Sequence, residues 1–161
     1  MKIRSALVLV LISGMVAFAG DQAAKAPFTL EISTDQPVVK AGSAVWIKVH
    51  LTNTSKRAMD CSATISNMTG VDPNYIFEVR DEAANAAPIR MHEHPELATG
   101  QPISRSLKPG ERLTDDEEVS QVIDMSRPGQ YTIQVSRRVS DSKKYGVVKS
   151  NAITISVTPQ P

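Results

Sequence analysis

Val45-Trp46-Ile47-Lys48-Val49-His50-Leu51-Thr52 sets aliphatic residues at every second position. A period of two is the signature of a half-buried strand. It places Val45, Ile47, Val49 and Leu51 on one face and Trp46, Lys48, His50 and Thr52 on the other. A helix would scatter the four aliphatic side chains around its axis. Upstream, Phe28–Ser33 repeats the pattern, with Phe28, Leu30 and Ile32 inward. The intervening Pro37–Gly42 has the proline and glycine of a strand-breaking connection. Downstream, strands are expected at Met59–Ile65, Tyr75–Arg80, Arg112–Val119, Gln130–Arg138 and Val147–Thr158, with one short helical turn at most within Glu117–Met125.

About seven short strands with Gly, Pro, Asn and Asp turns between them describe an all-β, antiparallel, immunoglobulin-like β-sandwich. A parallel sheet would require helical crossovers, and no helical stripe is visible. In Pro128-Gly129-Gln130-Tyr131 a tyrosine stands where a late strand begins. It suits either a tyrosine corner, with its hydroxyl on nearby backbone, or an ordinary half-buried strand position. Both readings make Tyr131 architecture. Ser66–Asn74 reads as a loop. Glu82–Gln101 reads as a longer one, of a length that in compact domains is often functional or mobile.

The first residues form a separate object. Lys2 and Arg4 precede an apolar run from Ala6 that continues to Ala19, and Ala17-Phe18-Ala19 supplies an A-x-A cleavage pattern. This is the layout of a signal peptide spanning 1–19, too short for a membrane-spanning helix. The expected organisation is that signal, a flexible segment at 20–27, the sandwich at 28–158 and a tail at 159–161. The implied location is periplasmic or extracellular, with no membrane span after cleavage.

The chain has 18 Lys+Arg against 17 Asp+Glu. Loss of the signal would leave 16 bases and 17 acids, a formal charge of −1. That balance argues against nucleic acid, which demands a basic surface. The single cysteine, Cys61, excludes an internal disulfide and shares parity with Met59 and Ala63, as a buried small hydrophobe would.

Leu51-Thr52-Asn53-Thr54-Ser55, Tyr75-Ile76-Phe77-Glu78-Val79-Arg80-Asp81, Leu107-Lys108-Pro109-Gly110-Glu111 and Val122 through Ile133 follow one another in an order that resembles exported bacterial immunoglobulin-like modules. Among these are the non-catalytic sandwich of deuterolysin-type peptidases and the proteinase-inhibitor-like sandwiches. The resemblance implies a scaffold, and scaffolds host many functions. Peptidase activity does not carry over. The only histidines are His50, His92 and His94, and no H-E-x-x-H is present.

Met91-His92-Glu93-His94-Pro95-Glu96 has the density of a ligand set, and His92 and His94 are the candidate copper ligands. The competing reading is a solvated polar loop. Asp115-Asp116-Glu117-Glu118 lacks the ligand spacing of a calcium loop and reads better as a solvated acidic edge that discourages strand pairing. No serine elbow is present. His50 is expected at the surface. Asn53-Thr54-Ser55 and Asn67-Met68-Thr69 match the glycosylation pattern but carry little weight. Trp46, opposite the aliphatic set, either lies under another segment or anchors a partner.

The expectation is therefore a non-enzymatic exported module, without cofactor, for protein binding or an envelope accessory role. Copper binding through His92 and His94, and protease inhibition through the 82–101 loop, are the alternatives.

Overall fold

The computed structural model describes residues 26–90, 99–138 and 146–160. The described chain is all-β, with nine strands: β1 Phe28–Ser33, β2 Val38–Lys40, β3 Trp46–Asn53, β4 Met59–Ser66, β5 Tyr75–Asp81, β6 Gly100–Leu107, β7 Arg112–Glu118, β8 Gly129–Arg138 and β9 Val147–Thr158. A 3-10 turn, Val119–Gln121, falls where a short helical turn was expected. One sheet has the order β1-β3-β7 and the other β2-β9-β8-β5, while β4 and β6 form a separate ribbon.

The alternating residues of both sheets meet in one core. Leu30 and Ile32 of β1 and Ile47, Val49 and Leu51 of β3 join Ile133 and Val135 of β8 and Ile155 and Val157 of β9. Burial of these aliphatic side chains is the main favourable contribution to folding.

Two strands were not expected. Within the Pro37–Gly42 connection, β2 is only three residues long, too short to show a period, and it buries just Val39. It pairs with β9 in parallel, against the fully antiparallel expectation. No dedicated helical crossover is needed, because the six strands between these two make the connection. The other, β6, opens with Gly100-Gln101-Pro102, and its serines alternate with Ile103, Arg105 and Leu107. Its polar composition conceals a strand that pairs with β4 along eight residues. The long loop expected at 82–101 is correspondingly shorter. Its described beginning is tied down by bridges Arg80↔Ala86 and Ile89↔Ile123, and by Ala87 N–H donating to the Val79 carbonyl.

Lys108-Pro109-Gly110-Glu111 makes the turn into β7. Glu111 N–H donates to the Lys108 carbonyl at 3.0 Å, and Gly110 has φ 79°. Proline at the second position and a positive-φ glycine at the third are the requirements of a type II turn.

Tyr131 is a tyrosine corner. Its buried ring belongs to the core, and its hydroxyl donates to the Arg127 carbonyl at 2.9 Å. Tyr131→Phe retains the ring and deletes that bond. The expected loss is about 1 kcal/mol in urea denaturation, and an unchanged midpoint would show that the hydroxyl is idle.

A bulge in β9 joins the two sheets. Opposite the step from Gln134 to Ser136, β9 carries one extra residue. There the Asn151 side chain accepts from Ile32 N–H at 2.8 Å and donates to the Ile32 carbonyl at 3.0 Å. Its amide satisfies backbone groups on β1 as a neighbouring strand would.

Candidate functional site

Register places Trp46 opposite Glu118, Lys48 opposite Asp116 and His50 opposite Thr114, all on the outer face of the β1-β3-β7 sheet. Trp46 is 44% exposed. Beside it is a cleft of about 230 Å³ lined by Thr34, Asp35, Gln36, Lys48 and Asp116. The walls are fixed from below: the Thr34 hydroxyl donates to the Trp46 carbonyl at 2.9 Å and accepts from Gln36 N–H at 3.1 Å. Lys48 forms an ion pair with Asp35, whose hydrogen bond holds the ammonium above its usual pKa. A large, rigid aromatic with a polar rim is the kind of group that anchors protein partners.

On the same face, His50 Nε2 contacts Ser33 Oγ at 3.1 Å and Nδ1 contacts Thr114 Oγ1 at 2.9 Å. The imidazole is half-buried, more enclosed than the surface position expected for it, and burial, then Arg112, lowers its pKa. A hydrolytic triad needs a carboxylate behind the imidazole; here a threonine hydroxyl occupies that place. The hydrogen-bonded row ties β1, β3 and β7 together.

A second cluster lies inside, on the side where β5, β7 and the β4–β6 ribbon meet. Arg137, 7% exposed, pairs with Asp72, 4% exposed, at 3.3 Å. The guanidinium also donates to the Ser62 carbonyl and stands 4.7 Å above the Tyr75 ring. Tyr75 hydroxyl donates to Asp115 at 2.9 Å, and Asp115 accepts from Arg105 at 2.7 Å. Burial first, and Asp115 second, push the Tyr75 phenol up. Glu117, 4% exposed, accepts from the Asp72 N–H at 3.1 Å. Burial raises its pKa to about 7, against the lowering effect of that hydrogen bond.

No protein-family model matches the chain, and no curated protein matches it in sequence. Among solved structures it is similar to a β-glucosidase, EmGH1, from Erythrobacter marinus, at TM-score 0.43 and 14% identity, over 81% of this chain and 15% of that one. It is also similar to the ASH/PapD-like domain 7 of human CEP192, at TM-score 0.32 and 14% identity, over 98% and 96%. Likenesses this distant carry no function across. The resemblance to peptidase-associated and inhibitor-like sandwiches rests on turn and strand motifs alone.

The acidic run is not the solvated edge expected. Leu113, Asp115, Glu117 and Val119 share the inward parity, so Asp115 is drawn into an ion pair and Glu117 is buried. Glu118 accepts from the Ser120 hydroxyl and Gln121 amide, leaving only Asp116 free in solvent among the four. Arg137 has the same parity in β8 as Tyr131, Ile133 and Val135. Parity was the available signal for this cluster, and charge obscured it. Cys61 is buried as expected, and burial raises its thiol pKa. Asn53 is 0% exposed, which removes the first glycosylation match from the surface of the folded domain.

His92 and His94 lie outside the described residues. Among the described residues, no group of three or more His, Cys, Asp or Glu is arranged to hold a metal ion, and no helix is long and apolar enough to cross a membrane.

Proposed function

We propose that this chain is an exported, non-enzymatic, immunoglobulin-like module that binds a protein through the outer face of its β1-β3-β7 sheet, with Trp46 as the anchor. The observation that carries the reading is the 44% exposure of the chain's only tryptophan beside a cleft with fixed polar walls. Large aromatics are usually buried more completely than this, and a segment covering Trp46 is absent among the described residues. The N-terminal Lys2, Arg4 and Ala6–Ala19 pattern supports export. The buried ionic cluster is structural in this reading: its carboxylates are occupied by arginine, tyrosine or backbone partners.

The test uses the chain from Gly20 onward as bait in native envelope extract, as wild type and as Trp46→Ala. A partner retained by wild type is expected to be recovered at least about tenfold less by the variant, as for a hot-spot residue. Equal recovery by the two baits, or no recovery by wild type, would count against the proposal.

A further inference from the structure

The buried cluster has an odd charge. Three carboxylates, Asp72, Asp115 and Glu117, face two guanidinium groups, and each guanidinium is committed elsewhere: Arg137 to Asp72 and Arg105 to Asp115. Glu117 is left with the Asp72 N–H as its hydrogen-bond partner among the described residues. With Glu117 ionised, the cluster carries one uncompensated negative charge; with Glu117 protonated, it is neutral. A buried carboxylate without a cation resolves its desolvation by taking up a proton.

We propose that Glu117 is a proton-operated catch between β7 and the 66–74 loop. Protonated, it holds the loop and the β4–β6 ribbon against the sandwich; ionised, it loosens them. The geometry supplies the coupling. Asp72 is the hinge of the loop: its Oδ1 accepts from Thr64 N–H at 3.2 Å, Asn74 N–H at 3.0 Å and the Asn74 side chain at 2.7 Å, while its own N–H meets Glu117. Negative charge on Glu117 therefore repels the carboxylate around which the loop and β4 are organised. The surrounding groups are Asp115 on β7 itself, Arg137 on β8, Tyr75 on β5, Arg105 on β6, Cys61 on β4 and Asp72 in the loop. Burial among these groups displaces the ordinary range of Glu117 upward, to about 7.

The sign follows from proton binding. The folded state holds this proton to higher pH than the unfolded chain, whose glutamate titrates at about 4.3. The associated stability is complete below the unfolded pKa and disappears as pH rises through about 7. His50, with a lowered pKa, acts in the opposite direction; because it lies on the outer sheet face, comparison with a Glu117 variant cancels it.

The experiment measures thermal midpoints between pH 5.5 and 8.5 for wild type and Glu117→Gln, which mimics the protonated side chain. It also measures amide protection factors at Thr64 and Asn74. Wild type is expected to lose about 5–10 °C across this range, with protection at both amides falling. Glu117→Gln is expected to show a shallower dependence and unchanged protection. Parallel pH profiles for the two proteins would overturn the proposal. If the variant does not fold, NMR titration of the Glu117 carboxyl in wild type decides: a midpoint above pH 6 supports the catch, and one below it rules the catch out.

Discussion

Replacing Arg137 with methionine is expected to cost about 3–5 kcal/mol of folding stability. Methionine fills much of the same volume, so the loss comes from charge. Asp72 would remain 4% exposed without its cation, near Glu117, and the Ser62 carbonyl would lose its donor. Breaking a buried pair on one side leaves an uncompensated charge, which is far worse than removing both partners. The double replacement Arg137→Met with Asp72→Asn is therefore expected to recover part of the loss. Arg105→Met serves as the control, because its pair with Asp115 is more exposed and should contribute only about 1 kcal/mol. Urea midpoints at constant slope measure all three. A cost below about 1 kcal/mol for Arg137→Met would mean that the guanidinium is not the keystone of the cluster.

Asn53→Ala is expected to cost about 3 kcal/mol. The side chain is fully satisfied while wholly buried. Its amide donates to the carbonyls of Arg57 and Leu107, each at 2.8 Å, and its oxygen accepts from Ser55 N–H at 2.9 Å and Ser55 hydroxyl at 2.8 Å. Its backbone joins the turn into β7, donating to the Glu111 carbonyl and accepting from Gly110 N–H. One residue thus links the end of β3, the connection to β4 and the β6–β7 turn. Alanine strands the buried Leu107 carbonyl and leaves space without a polar partner, the expensive side of hydrogen-bond energetics. Asn53→Asp tests the same point chemically: it retains the acceptor, loses the donors and buries a charge, and should destabilise at least as much at neutral pH. A neutral effect of both replacements would show that the connection is held by other contacts.

These two residues also mark what could be read from the chain. Five strands were legible because Phe28, Leu30 and Ile32, Ile47, Val49 and Leu51, Tyr75 and Val79, Tyr131, Ile133 and Val135, and Ile155 and Val157 alternate with exposed or half-buried neighbours. Two more were placed correctly: Met59–Ile65, with Cys61 and Ala63 buried on the expected face, and Arg112–Val119, whose acids were assigned to solvent. There the inward positions include Asp115 and Glu117, and charge suggests solvent more strongly than parity suggests burial. Arg137 was hidden by the same bias at the end of an otherwise aliphatic face. Asn53 resembled a surface acceptor because a tripeptide match carries no information about burial. Short β2 and serine-rich β6 lack the apolar repeats from which strands are recognised. Trp46 was legible as outward-facing from its neighbours alone. Its cleft was not, because Thr34, Asp35 and Gln36 reach it through the fold.

Cross-linking can show whether partners engage the outer face of the β1-β3-β7 sheet around Trp46, as proposed. The most direct measurement places a photoreactive amino acid at position 46 in one protein and at Thr132, an exposed position on β8 of the other sheet, in a second. Both are then irradiated in native envelope extract. A discrete cross-linked species from position 46, with none from position 132, is the predicted result. No adduct at position 46, or equal yields of the same adducts from both positions, would contradict the claim.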